Sequence, residues 1–372
     1  MEVCSQIKKK NVMTFPVISI SLLYQDGEFK DEEFARWASG HNREWNDSNF
    51  FVSGDIGVLS SCCRMQNDTK KIKAFINSIG GTSLSIGSVK VNTINLMRIA
   101  LESEKDEDKY IEILKDRVIL CMKTLDTVRH IIKRNVEKGL LNNYIPGCID
   151  MDKQFCSIGI NAMYEAVEYF GYIDTDQFGN KSYTDDGIRF ASLILDTINE
   201  MKDSFETDYS WNVEAIPGEQ AAKILCRKDE LLFNIKRVRP LYSNQWIPLM
   251  ERCTIQEKLR LGSILDVKCG GGQISHINIE KPFANDEVAW KMLNYIAASG
   301  VIYFAFNTVI SACENNHGFI GTDICPYCGK RKVEEYCRIV GFIVPVSSYS
   351  KERKEEFRGR TWYATGEDGF ES

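Results

Sequence analysis

The feature that most restricts the fold of this 372-residue chain is one apolar stripe. Ile111, Leu114, Val118, Cys121, Leu125, Val128 and Ile132 recur at alternating steps of three and four. Such spacing lines one side of a helix, and that side must be buried against another layer. The surroundings indicate which layer. Residues 15–24, 89–94, 274–279 and 301–306 are rich in branched and aromatic side chains and read as strands. Residues 31–40, 161–170, 185–201, 221–232 and 285–298 read as further helices. Strands alternating with helices predict an α/β layer or barrel. Residues 54–88 are irregular and rich in Ser, Gly and Cys, and a loop of that length in a compact domain is usually functional.

Charge and composition exclude some classes. With 44% hydrophobic and 26% charged residues the chain is core-forming. A net charge of −6 argues against a general nucleic-acid binder and against an anionic membrane surface as partner. No stretch looks like a signal peptide or a membrane span. Thirteen cysteines without an export signal point to thiols or a metal site in a reducing cytoplasm rather than a disulfide framework.

Those cysteines cluster near the end. Cys313-x3-His317-x7-Cys325-x2-Cys328 supplies four ligands for a tetrahedral, closed, structural Zn²⁺ site. The bland alternative is a set of unrelated thiols, and Cys337 could take the place of His317. Arg338-Ile339-Val340-Gly341-Phe342 follows; taken alone, its glycine marks a bulge or a close backbone approach. In the long irregular stretch, Ser61-Cys62-Cys63-Arg64 holds adjacent cysteines, which are most often small buried hydrophobes.

Together and in order, these motifs resemble the anaerobic, class III ribonucleotide reductases, a glycyl-radical family. There a Cys-Pro-x-Cys-Gly knuckle precedes an Arg-x-x-Gly-aromatic motif, and the charged tail Tyr349-Ser350-Lys351-Glu352-Arg353-Lys354-Glu355-Glu356-Phe357 also matches. The resemblance continues through Thr93-Ile94-Asn95-Leu96-Met97-Arg98-Ile99-Ala100-Leu101, a strand and turn with Met97 replacing the usual proline. It includes Ser157-Ile158-Gly159, similar to a turn before a helix, and Ile216-Pro217-Gly218-Glu219, similar to a phosphate-binding turn at a helix start. Gly271-Gly272 with His276 resembles a further strand of the family.

The resemblance implies a fold and a chemistry. The fold would be α/β, the second half of a ten-stranded β/α barrel. It would comprise residues 1–310 with the cysteine loop at 54–88, a zinc-binding element at 311–337, and the radical loop and tail at 338–372. Residues 15–24 would form the sixth barrel strand. Gly341 would carry a backbone radical installed by an activating enzyme that uses S-adenosylmethionine and a [4Fe-4S] cluster. Cys63 would become the thiyl, with Cys62 beside it. Arg64, Asn95, Ser157, Gly159, Pro217, Gly218, Glu219 and His276 would bind a ribonucleoside triphosphate. The family's chains are longer, so a complementary N-terminal half-chain is expected as partner, within a homodimer of the full assembly. Ser88 stands where formate-using members carry Asn, which favours a thioredoxin- or glutaredoxin-type reductant. The competing readings are a glycyl-radical enzyme of the pyruvate formate-lyase type and a non-catalytic zinc-stabilised fragment.

Overall fold

A computed structural model describes residues 6–7, 10–14, 18–54, 58–60, 66–68, 87–144, 146–147, 149–216, 218–339 and 341–370. Two sheets form its centre. One has five strands in the order Ser275–Asn278, Tyr303–Asn307, Ser48–Ser53, Ile18–Gln25, Glu28–Phe29. The other has three parallel strands in the order Trp211–Ala215, Gln154–Asn161, Gly87–Asn95. A parallel bridge between Glu214 and Gly272 joins them. It is supported by Gly271 N donating to Val213 O at 2.7 Å and Ala215 N to Gly272 O at 3.2 Å.

Direction divides this joined sheet unequally. Ser275–Asn278 and Tyr303–Asn307 run parallel, so with the trio they form a set of five. Ser48–Ser53 is antiparallel to Tyr303–Asn307 and parallel to Ile18–Gln25. Among the described residues, Ser48–Ser53 and Ile18–Gln25 thus run opposite to those five strands, and the short Glu28–Phe29, antiparallel to Ile18–Gln25, runs with them. The strand expected at 15–24 belongs to that opposed pair.

Period-two alternation gives the sheet two different faces. Ile20, Leu22, Phe50, Val52, Ile277, Phe304 and Phe306 pack with the helices Glu32–Trp45 and Asp286–Ala298. Ile158, Ile160, Val213 and Ala215 pack with Leu96–Ser103, Glu107–Glu137, Met163–Phe170 and Asp185–Asp203. The stripe recognised in the sequence supplies Leu114, Val118, Cys121 and Leu125 to that second core. The opposite face carries polar pairs, Ser19 with Asn49, Asn212 with Ser157 and Asn278 with Asn307, beside a small apolar cluster of Phe51, Ile274, Tyr303 and Ala305.

Helix ends follow their caps. The side chains of Asp31, Asp106 and Asn285 accept from Phe34 N, Lys109 N and Val288 N. Asn46 ends its helix in the left-handed conformation at φ 49°.

Three expectations meet a different structure. Ser157-Ile158-Gly159 is no turn; it lies within the fully buried strand Gln154–Asn161. The boundary at 337/338 falls inside one four-stranded sheet, whose first strand in the chain begins at the boundary expected at 310/311. Its order is Gly318–Ile320, Ile310–Cys313, Lys332–Arg338, Ile343–Pro345. The knuckle and the Gly341 hairpin are thus one hydrogen-bonded unit. The long stretch at 54–88 is also not wholly irregular, since Val58–Ser60 pairs with Gln66–Asp68 as a hairpin.

Candidate functional site

In the four-stranded unit, Cys313, His317, Cys325 and Cys328 each bring one ligand atom to within 4.8 Å of the others. Cys313 Sγ lies 3.6 Å from Cys328 Sγ, and Cys325 Sγ 3.5 Å from His317 Nδ1. Four ligands on a tetrahedral ion with Zn–S bonds of about 2.3 Å would stand roughly 3.8 Å apart. The donor set and its spacing therefore fit such an ion. Gly329, at φ +70°, turns the knuckle so that its N–H donates to Cys325 O at 2.9 Å. Cys337, the other candidate ligand, is elsewhere: its sulfur accepts from Arg360 Nη1 at 3.5 Å, and burial raises its thiol pKa.

The strand after the knuckle delivers Arg338 and Gly341. Gly341 is buried. Its φ is outside the left-handed region, and among the described residues a Cβ built on it would meet no atom within 4 Å. Neither conformation nor crowding by a described residue, the usual reasons for glycine, accounts for it. Arg338 Nη1 donates to Gly341 O at 3.5 Å, while Nη2 donates to Asn46 O and Ser48 O, each at 3.2 Å. Burial lowers the Arg338 pKa to about 10, opposed by the Tyr303 phenol and the Cys337 thiol.

The Arg338 anchors lead to the polar sheet face. Tyr303 OH lies 2.9 Å from Ser19 Oγ and accepts from Asn49 Nδ2 at 3.0 Å. Farther along, Asn307 Nδ2 lies 2.8 Å from His276 Nδ1 and donates to Asn278 Oδ1 at 3.1 Å. His276 is thus on this face, and buried. Across the Gly272 bridge, Asn212 is buried with no hydrogen-bond partner for either amide atom among the described residues. Its side chain explains Gly271, where a Cβ would come within 2.9 Å of Asn212 Cγ and 2.8 Å of Val213 O.

The remaining expected residues fall at several places. Ser157 Oγ lies 2.9 Å from Ser88 Oγ. Gly159 is a packing glycine: a Cβ there would stand 2.8 Å from both Ile216 Cγ2 and Val91 Cγ1. Asn95 caps Leu96–Ser103 through Arg98 N at 3.2 Å and donates to Asp229 Oδ2 at 2.7 Å, so both of its amide atoms are engaged. Gly218, at φ +57°, starts the helix Glu219–Phe233 with no side-chain cap, and Glu219 is exposed in its first turn. Cys62, Cys63, Arg64 and Pro217 lie outside the described residues. Asn49, Asn212, Tyr303 and Asn307 were not singled out from the sequence. The signal was the alternation Tyr303, Ala305, Asn307 against Phe304 and Phe306.

Comparison with known proteins gives a consistent picture. The profile of the family described as "Anaerobic ribonucleoside-triphosphate reductase" matches residues 2–363. The curated anaerobic ribonucleoside-triphosphate reductase of Escherichia coli (strain K12) is 24% identical over 293 residues, covering 68% of this chain and 39% of that protein. A solved anaerobic ribonucleotide reductase superposes with a TM-score of 0.88 at 41% identity, over 97% of this chain and 57% of its own. The Thermotoga maritima enzyme, solved with glycerol in its active site, gives 0.85 at 43% identity, over 95% and 58%. The chain therefore spans less than three fifths of the length of these relatives. Among the described residues no helix is long and apolar enough to cross a membrane.

Proposed function

The chain belongs to the anaerobic ribonucleoside-triphosphate reductase family, and on that premise we propose that it forms the catalytic part of an enzyme reducing ribonucleoside triphosphates to 2′-deoxyribonucleotides by a glycyl/thiyl radical relay. The observation that carries this reading is Gly341: buried, without left-handed backbone and with no described residue within 4 Å of where a Cβ would stand. Glycine at such a place suits a chemical need. A Cα radical is delocalised over the flanking amide nitrogen and carbonyl when the centre becomes planar, and an absent side chain leaves one side open to a reacting sulfur.

In the proposed relay the Gly341 Cα radical takes the hydrogen atom of the Cys63 thiol. The resulting thiyl takes the 3′ hydrogen of the ribose, the 2′ hydroxyl leaves as water, and a reductant completes the reaction. Ser88, hydrogen-bonded to Ser157, stands where formate-using relatives carry an amide; this favours a thioredoxin- or glutaredoxin-type reductant. His276, the Gly218 helix start and the polar sheet face are the proposed nucleotide contacts, the helix start suiting a phosphate.

Zn²⁺ is the ion proposed for Cys313, His317, Cys325 and Cys328. With four protein ligands it would be structural, fixing the base from which the Gly341 hairpin projects. The two ends of the joined sheet, Gly87–Asn95 and the part of Ile18–Gln25 that Glu28–Phe29 leaves uncovered, are those that strands outside this sequence would close into a ten-stranded barrel, whether from the same polypeptide or a second one. The family match does not favour the pyruvate formate-lyase alternative.

Electron paramagnetic resonance tests the reading. After anaerobic treatment of the assembled protein with its radical-installing enzyme, a glycyl doublet is expected, together with ribonucleotide turnover. A doublet that persists in Gly341→Ala would overturn the assignment.

A further inference from the structure

The hairpin that presents Gly341 is held in two unlike ways. Its stem is tied by the C-terminal tail: Tyr349 OH donates to Cys337 O at 2.8 Å, and Arg360 Nη1 donates to Arg338 O at 3.0 Å. The Arg360 charge is neutralised in place, because Glu356 pairs with Arg360 at 2.9 Å and with Arg353 at 3.2 Å. The tip is held by the Arg338 side chain alone among side-chain contacts described for it, through the carbonyls of Gly341, Asn46 and Ser48. Arg338 is buried, yet among the described residues no carboxylate pairs with it and its Nε has no partner.

These two modes of attachment differ in how readily they release. Breaking a buried ion pair strands a charge in a low-dielectric site, so the stem stays fixed. A guanidinium whose described partners are neutral carbonyls recovers equivalent hydrogen bonds and full hydration when it reaches water. Asn46 and Ser48 bracket the start of a central strand, so the acceptors stay in place while the donor leaves. Arg338 has a fixed backbone and a releasable side chain, and the pivot falls at that residue.

We propose that Arg338 is a latch: its guanidinium seats Gly341 against the Asn46 and Ser48 carbonyls, and its release frees the hairpin tip while the stem stays bound. It is a positioning residue that acts through Gly341, and its place in radical chemistry rests on the function proposed above. A radical-installing partner would reach the freed tip, and reclosure would return Gly341 to its buried seat.

The test uses the assembled enzyme with Arg338→Met and Arg338→Lys. In unactivated protein, hydrogen–deuterium exchange at Gly341 and Phe342 should rise about tenfold or more in Arg338→Met, with the strands Lys332–Arg338, Ile343–Pro345 and Ile310–Cys313 unchanged. Arg338→Lys, able to reach a subset of the carbonyls, should fall between. After activation, the radical in Arg338→Met should decay severalfold faster than in the parent, with Lys again intermediate. Unchanged exchange and lifetime, or exchange rising evenly across the whole four-stranded sheet, overturns the latch. If Arg338→Met does not fold, Arg338→Lys alone decides by the same criteria. If the parent gives no radical, the proposed function fails, while the exchange data still decide the latch.

Discussion

Cys337 and Arg360 are bound to each other, with Sγ to Nη1 at 3.5 Å, and this places the Cys337 thiol outside the convergent ligand set. A metal bound at that set should therefore be indifferent to Cys337. Metal analysis is expected to give about one zinc per chain for the parent and for Cys337→Ala, and a loss for Cys325→Ala with destabilisation of the C-terminal unit. Zinc that stays stoichiometric in Cys325→Ala would mean that the ion sits elsewhere.

Two glycines should respond to alanine in opposite ways. Gly341→Ala meets no described atom and no left-handed backbone, so denaturation should shift by less than about 1 kcal/mol while the radical is lost. Gly159→Ala drives a Cβ to 2.8 Å from Ile216 and Val91, and overpacking of that kind should cost about 1–3 kcal/mol. Equal destabilisation by both substitutions would contradict the claim that Gly341 is there for chemistry.

The proposed relay separates the two adjacent cysteines. Cys63→Ser should abolish nucleotide reduction and leave the glycyl radical formable, since a separate enzyme installs it. Cys62→Ser should retain activity. Turnover assays combined with resonance spectra of the two variants check this, and the reverse pattern would exchange their roles.

Glu165 predicts a pH dependence outside the site. It is buried on Met163–Phe170, where burial raises its pKa to about 7 against the opposing pull of Arg239. Ser243 N donates to its Oε1 at 2.9 Å. Because the folded pKa lies above the unfolded one, its stabilising contribution is complete below about pH 4.5 and is lost as pH rises to about 7. Relative to Glu165→Gln, the parent should lose roughly 3 kcal/mol of unfolding free energy across that window. Urea denaturation of both proteins from pH 4.5 to 7.5 measures the difference, and parallel curves would refute it.

Much of the layer structure was legible because it is amphipathic. The stripe at Ile111–Ile132 became Glu107–Glu137, and the strand expected at 301–306 became Tyr303–Asn307. Gln154–Asn161 was not legible, although Cys156, Ile158 and Ile160 alternate with Ser157, Gly159 and Asn161, because the alternating residues on its second face are small or polar. Its Ser157 and Gly159 also mimic turn chemistry, although Gly159 serves close packing. Asn95 also ends a strand and caps a helix in one residue, a role its place in the sequence motif did not announce. The metal-type cluster was legible from spacing alone. The choice of His317 over Cys337 was not, since it depends on where Arg360 folds back. The clamp from Arg338 to Asn46 and Ser48 joins residues about 290 positions apart, and no local pattern announces such a contact.

The opposed pair of strands also sets a timetable for biosynthesis. Ser19 meets Tyr303 across 284 positions of sequence, and Phe51 pairs with that same tyrosine. A ribosome adding about 5–20 residues per second needs roughly 15–60 s to make the second partner after the first. Throughout that interval Ile18–Gln25 and Ser48–Ser53 can pair with each other, but the neighbour that seats them in the sheet does not yet exist. Synthesis of this chain thus includes a waiting period in which a nascent two-stranded ribbon is open to mispairing. A chaperone, or sequence emerging alongside it, would protect the product by occupying that ribbon until Tyr303 arrives.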